Sequence, residues 1–451
     1  MFLQVRNLII GAGPTGLGAA WRLREAGEES FLVLERADHA GGLAASFMDD
    51  AGFTWDIGGH VVFSHYEYFD RVMDELLGDE SLWHERISRV RCSGTWIPYP
   101  FQNNVRHLPP EDRWRCVEGL LPGRRPESAP TNFARWIETV FGRGIAELFM
   151  WPYNFKVWAT PPELMQFGWI GERVSVVDLE RTLRNIVLER DEVAWGPNNT
   201  FRFPLRGGTG EIFRRMAARL GDKVRLGSEV VRIDAAARTV RTADGLEIGY
   251  GNLLSTGPVD RLASAWMAEP EAALVNAAAT LTRNGVHVTG VGLDGARSDE
   301  TCWMYFPESD CPFYRVTNFH NYSPNNVARP GAQRGLMCET SFSDHKPEDL
   351  DAVPGRTEDG LVATTLMDES DRDRVLSRWT YATDYGYPVP CLRRDDALRA
   401  ILPRLESLRI FSRGRFGGWK YEVGNMDHSV MQGVEWADRM LTGAPETTYT
   451  L

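Results

Sequence analysis

The spacing of apolar residues changes period along the chain, and each period predicts an element. Residues 8–10 (Leu-Ile-Ile) and 31–34 (Phe-Leu-Val-Leu) are short apolar runs that predict buried strands. Between them Leu17, Ala20, Leu23 and Arg24 recur at helical spacing. The spacing returns at Tyr68, Val72 and Leu76, with Gly78 as C-cap. Runs 89–92 and 96–99 flank Ser93-Gly94 and predict a hairpin, which Pro98 and Pro100 end. From about 109 to 200 the pattern is helical, over 111–121, 132–141, 145–151 and 179–189. A helix over 211–220 precedes strands 224–226, 230–234 and 239–242. A turn at Asp244-Gly245 and a last strand to Thr256 complete what reads as one antiparallel meander. Residues 260–392 predict an antiparallel sheet from 286–293, 302–306, 313–319, 336–342 and 378–384, with 321–360 as an exposed excursion. A helix (395–405), a strand (408–411) and a closing helix to Leu441 follow.

Three glycines join the first strand to the first helix: Gly11-x-Gly13-x-x-Gly16. Gly11 suits a tight turn, Gly13 the close approach of a pyrophosphate, and Gly16 the packing of helix on strand. Glu35 ends the second strand 19 residues past Gly16, where an acid can accept a ribose hydroxyl. Strand, helix and acid together predict dinucleotide binding rather than a chance Gly-rich turn. Two further Gly-rich turns, Gly41-Gly42-Leu43 and Gly58-Gly59-His60, are more than a nicotinamide site needs. They suit a long, extended cofactor such as FAD. Residues 203–210 (Phe-Pro-Leu-Arg-Gly-Gly-Thr-Gly) lack the spacing of a second fingerprint, so no separate NADPH domain is expected. The fold class that follows is α/β: an FAD-binding Rossmann-like domain, an inserted helical bundle and an antiparallel β-sheet substrate domain. The boundaries are 1–85, 203–260 and 393–451 for the first, 105–202 for the second, and 86–104 with 261–392 for the third.

Composition narrows this further. At 451 residues the chain has room for about three domains. No apolar run nears the ~18 residues of a membrane span, and no targeting segment is seen. Six scattered cysteines without a CxxC give neither a zinc site nor a disulfide framework, so a cytoplasmic protein is expected. A net charge of −12 argues against nucleic acid and anionic membranes as partners. An anionic substrate would need a local cluster of cations.

The fingerprint and following Gly-Gly resemble the flavoproteins that include amine oxidases, protoporphyrinogen oxidase and UDP-galactopyranose mutase. Longer motifs make the resemblance specific. Residues 58–65 (Gly-Gly-His-Val-Val-Phe-Ser-His), 96–104 (Trp-Ile-Pro-Tyr-Pro-Phe-Gln-Asn-Asn), 143–150, 152–158 (Pro-Tyr-Asn-Phe-Lys-Val-Trp), 171–174, 302–308, 414–417 and 421–425 are similar to UDP-galactopyranose mutases of the eukaryotic type. The likeness runs from about residue 6 to 441.

The resemblance implies a redox-neutral isomerase interconverting UDP-galactopyranose and UDP-galactofuranose on reduced FAD, through a covalent flavin N5–sugar adduct, with NAD(P)H only as external reductant. It implies catalytic roles for His60, Arg173 and Arg315, with Arg173 on a mobile loop of the helical domain. To the cofactor it assigns Gly11, Gly13, Gly16, Glu35, Gly42, Leu43, Gly58, Gly59, His60, Val230, Arg415, Gly424, Asn425, Met426 and Ser429. To the substrate it assigns Tyr99, Phe101, Gln102, Phe149, Met150, Tyr153, Asn154, Trp158, Arg173, Asn198, Trp303, Tyr305, Arg315, Tyr387, Tyr421 and Asn425. Taken singly, each has a plainer role: an arginine as a surface ion pair, a histidine or tyrosine as packed core. The implied partner is a UDP-sugar, and a homo-oligomer is compatible with the pattern. Trp151 stands where fungal members carry arginine, Met426 where glutamine is usual, and 321–345 is shorter; these leave the hexose open. The competing readings are the same chemistry on another nucleotide sugar, a flavin amine oxidase-like oxidoreductase, and a nucleotide-sugar binder without catalysis.

Overall fold

Strand Phe2–Ile10 is exposed or half-exposed over its first five residues and buried over its last four, so the chain enters the core as it nears Gly11. It pairs in parallel with Phe31–Leu34 on one side and Glu247–Ser255 on the other, with Leu8 opposite both Leu32 and Leu253. The sheet continues through Thr239–Thr242 to Val230–Asp234 at one edge and Val224–Arg225 at the other, while Ile410–Ser412 pairs the end of Glu247–Ser255. This computed structural model describes residues 2–171, 174, 176–193 and 199–451.

Successive residues of the first strand serve opposite sides of the sheet. Ile9 packs with helices Pro14–Glu25, Glu67–Leu77, Gly210–Leu220 and Met426–Thr442. Leu8 and Ile10 pack with helices Ala272–Ala278 and Arg394–Ser407. Each such fully buried aliphatic side chain stabilises the fold by about 1.5–3 kcal/mol. Between the layers, Ser46 and Thr209 converge on the fully buried Asp56. Burial pushes that carboxyl up to about 7, and the hydroxyls of Ser46 and Thr209 oppose the shift.

The second sheet runs Val375–Val389, Thr282–Asp294, Gln333–Phe342, Arg315–Asn318, Trp303–Tyr305, Ser88–Cys92, Thr95–Pro98. Its central strands are buried on both faces. Val90, Ile97, Tyr305 and Met337 face the helical insertion, and Met304, Val316, Leu336 and Cys338 face helix Val353–Ala363.

Three expectations change. Val224–Arg225 is not part of the meander; it pairs in parallel with Phe31–Leu34, because Glu35 N–H donates to Arg225 O (2.9 Å) and Ser228 N–H to Glu35 O (2.7 Å). The meander consists of the other three strands. The 321–360 segment is not an exposed excursion. Tyr322, Ser323 and Asn326 are buried, Gln333–Phe342 is a core strand, and Val353–Ala363 is a helix. Its polar residues are consumed internally: Ser323 Oγ donates to Leu205 O (2.6 Å) and Asn326 to Phe319 O (2.9 Å). Finally, helix Phe133–Ile145 passes through a five-residue π-turn, Ala146–Met150, into a further helix, Trp151–Trp158. Pro152 is tolerated there because it falls in the first turn.

Candidate active site

Helix Pro14–Glu25 starts at Gly13 with no side-chain cap, so its first N–H groups face outward with the positive end of the helix dipole. Gly11 holds φ +101°, and a Cβ at Gly16 would lie 1.9 Å from Gly11 O. A Cβ on Gly13 would meet nothing nearer than Gly42 Cα at 3.8 Å, so that side of the turn is open. Glu35 is buried; one carboxylate oxygen accepts from Ala12 N–H (2.8 Å) and the other from Ala37 N–H (2.9 Å). Each oxygen keeps a lone pair for a ribose hydroxyl. Gly42 is exposed and Leu43 half-buried beside the turn, and the Ser228–Glu35 bond brings Val230 to the same edge. A dinucleotide's pyrophosphate and ribose fit this cradle.

The Gly58-Gly59 turn lies against a buried ion pair. Arg315 and Glu339 stand directly opposite each other on neighbouring strands. Arg315 Nε donates to Glu339 Oε1 (2.6 Å) and Nη2 to Oε2 (2.7 Å). Gly59 N–H adds a third bond to Oε1 (3.0 Å) and Tyr314 O–H a fourth to Oε2 (2.7 Å). Burial alone would raise the Glu339 pKa, but Arg315 holds it below the usual carboxylate value. A Cβ on Gly59 would come within 2.7 Å of Thr317 Oγ1, so the backbone must be bare there. Nη1 of Arg315 is the guanidinium nitrogen left over from this network.

His60 follows, half-buried, with its Nδ1 atom buried and without a hydrogen-bond partner among the described residues. Burial pushes its imidazole down to about 4; Glu339 opposes that shift, and Arg415 and Arg315 add to it. The folded protein therefore holds His60 neutral where the unfolded chain takes up a proton, near pH 6.5. Stability present above about 6.5 is lost as the pH falls towards 4, by an amount of order 3 kcal/mol. His60→Asn is expected to flatten that part of the stability–pH curve, as measured by denaturant unfolding; an unchanged curve would remove His60 as its source.

Aromatic rings wall the rest. Phe101 stacks on Phe149 (4.7 Å between centroids) and Phe149 on Tyr153 (5.1 Å). Tyr153 and Tyr99 each meet Tyr305 at 5.3 Å. Trp158, Tyr387 and Tyr421 form a second group at 4.8–5.8 Å. Arg415 lies over Tyr387 (4.8 Å) and donates to Gly386 O and Gly424 O rather than to a carboxylate. Met150 and Gln102 are buried beside the first group. Gly424, Asn425, Met426 and Ser429 lead into helix Met426–Thr442, whose N-cap likewise lacks a side-chain bond.

Several expected residues serve other ends. Asn154 is bonded internally, its Nδ2 donating to Met150 O (2.7 Å) and its Oδ1 accepting from Trp158 Nε1 (3.3 Å). Lys156, in the 152–158 motif, is buried and donates to Glu308 O (2.7 Å) and Cys311 O (3.0 Å). Trp303 meets Phe201, Tyr322 and Arg86. Trp151 donates to Ala134 O (3.2 Å), tying two helices. Arg173 and Asn198 lie outside the described residues. Sequence reasoning missed Glu339 and Tyr314. The available signal was an acid in the middle of 335–342, a stretch with no other charge.

A family model for flavin containing amine oxidoreductases matches residues 14–350. Over 99% of this chain and 96% of the other, the structure superposes on a crystal structure of reduced UDP-galactopyranose mutase, with a TM-score of 0.95 and 44% identity. The chain belongs to the UDP-galactopyranose mutase family, within the flavin containing amine oxidoreductases. Its α/β fold is theirs, and membership of this family makes it a flavin-binding protein. Beyond the mutase family only the fold is shared: a putative protoporphyrinogen oxidase from Exiguobacterium sp. is 16% identical with a TM-score of 0.70, covering 97% of this chain and 98% of that one. The flavin-containing amine oxidase A of Canis lupus familiaris is 27% identical over 252 residues, 50% of this chain. The chain spans less than half the length of that relative, 44%. Among the described residues no helix is long and apolar enough to cross a membrane.

Proposed function

We propose that this chain is a flavin-dependent, redox-neutral isomerase that interconverts UDP-galactopyranose and UDP-galactofuranose. The observation that carries the reading is the 44% identity and near-complete superposition with reduced UDP-galactopyranose mutase. When bound and reduced, FAD supplies a nucleophilic nitrogen, and NAD(P)H serves only to reduce it. The chain's own residues do the rest. Arg315 Nη1, preorganised by Glu339, meets the diphosphate where charge develops on the departing UDP. Tyr305, Tyr387 and Tyr421 offer hydroxyls to the same group. Phe101, Phe149 and Tyr153 give the uracil a flat apolar wall, with Gln102 to read its edge. His60, neutral at physiological pH, offers one ring N–H donor and one ring acceptor beside the flavin ring without carrying a charge there. Arg415 favours an anionic reduced flavin. Arg173, Asn198 and the three-domain division rest on the family resemblance alone.

The uridine assignment predicts a base preference. UDP is expected to compete with substrate in the micromolar to millimolar range, and Tyr153→Ala to weaken it by roughly tenfold, since a lost aromatic stack contributes about 0.5–1.5 kcal/mol. Inhibition measured with UDP, GDP and TDP decides: equal potency for all three would overturn the pocket.

A further inference from the structure

Behind the proposed cofactor contacts the structure brings together His65, Asp427 and His428. Asp427 is the second residue of helix Met426–Thr442, and His65 ends the loop that begins at Gly58. The Asp427 carboxylate accepts from His65 Nδ1 (2.7 Å), His428 Nδ1 (2.9 Å) and His65 N–H (3.2 Å). One ligand atom from each residue lies within 4.8 Å of the other two. At about 100° of helix per residue, Asp427 and His428 point away from Met426 and Ser429, so the cluster is separate from the flavin-facing side.

Two observations point to a cation. A carboxylate buried as deeply as this one is ordinarily matched by arginine or lysine. Glu339 has Arg315, and Glu446 has Arg413 and Arg439. Asp427, with its side chain 1% exposed, meets no arginine or lysine among the described residues, only the two imidazoles and the His65 N–H. The helix N-terminus offsets part of its charge. The second observation is the donor set itself. Two imidazole nitrogens and a carboxylate oxygen are the three protein ligands of an open zinc site, whose fourth position takes water. Bonds of about 2.0–2.1 Å to a tetrahedral ion place ligand atoms roughly 3.4 Å apart, so the cluster needs shifts of about an ångström. The His65 side chain is 46% exposed, which gives an ion a way in and the ring room to adjust.

We propose that His65, Asp427 and His428 bind one divalent transition-metal ion of the zinc class. The ion enters between the Nδ1 atoms and the carboxylate, and each neutral imidazole then carries its proton on Nε2. Bound there, it fastens the loop carrying His60 to the helix that opens at Asn425.

The test uses the chelator-treated holoprotein and zinc chloride. Equilibrium dialysis with elemental analysis is expected to give one ion per chain, bound in the micromolar range. His65→Gln and the double change His65→Gln/His428→Gln are expected to weaken binding by about tenfold or more, with folding checked by thermal unfolding and flavin absorbance. Diffraction at the zinc absorption edge from zinc-soaked crystals is expected to place a peak on His65, Asp427 and His428. If the double variant does not fold, His65→Gln and the diffraction peak decide. Unchanged uptake in the folded variants, no uptake by the parent protein, or a peak elsewhere would each overturn the site.

Discussion

Arg315→Ala is expected to lower kcat/KM by about 10²–10³-fold, the usual loss when a preorganised donor to developing charge is removed. It should also destabilise the fold by about 3–5 kcal/mol, because Glu339 is then left buried without its partner. The two effects have different origins and can be separated. Replacing both members of the pair, as in Arg315→Met with Glu339→Leu, is expected to recover part of that loss but not all of it, because Gly59 N–H and Tyr314 O–H then lose their acceptor. Activity should stay lost in that double variant, since no cation then meets the diphosphate. Glu339→Gln is expected to keep a measurable rate with weaker turnover, because the guanidinium remains but the glutamine amide nitrogen cannot accept, so one of its two bonds is lost. Product chromatography with UDP-galactopyranose and denaturant unfolding give the two readouts. An active double variant would sink the assigned role of Arg315, and a double variant as unstable as the single one would sink the account of the pair.

The other large effect turns on the oxidation state of the flavin. Substrate and product of an isomerisation have the same oxidation level, so no electrons are consumed per turnover. A flavin acting as nucleophile must nevertheless be reduced beforehand. The air-oxidised protein is expected to give no furanose product, and dithionite or NAD(P)H to switch it on under anaerobic conditions. A single reduction should then support many turnovers, with NAD(P)H loss unrelated to product formed and no peroxide. An oxidase on the same fold would work as isolated and consume one oxygen per product. Product chromatography beside NAD(P)H absorbance and a peroxide assay separates them. Full activity in air, with peroxide equal to product, would return the chain to the oxidases.

What was legible in the sequence was local. Gly11, Gly13, Gly16 and Glu35 belong to one strand–turn–helix–strand unit, so their spacing alone encodes their arrangement. The stacked run Phe101, Phe149, Tyr153 was legible only through motif likeness, because an aromatic at helical spacing reads equally well as core. Glu339 was not legible. Its meaning depends on standing opposite Arg315, a pairing 24 residues apart that no local pattern records. Lys156 was not legible for the same reason: it lies among aromatics in the 152–158 motif, and the two backbone carbonyls that absorb it belong to a distant loop. The Asn-, Ser- and Pro-rich 321–326 likewise looked solvent-facing because its polar groups bond to partners far away in sequence.

The alternation of faces along Arg315–Asn318 and Gln333–Phe342 also governs how this enzyme can be diversified. Adding or deleting one residue within either strand would turn Val316 in place of Arg315, or Cys338 in place of Glu339, toward the substrate side. Substitution libraries can therefore explore these strands at positions other than Arg315 and Glu339, within the volume the buried core allows, whereas insertions and deletions there abolish the site at a stroke. Length can vary in the connections instead, as in 295–300, where the chain is largely exposed and no paired register has to be kept.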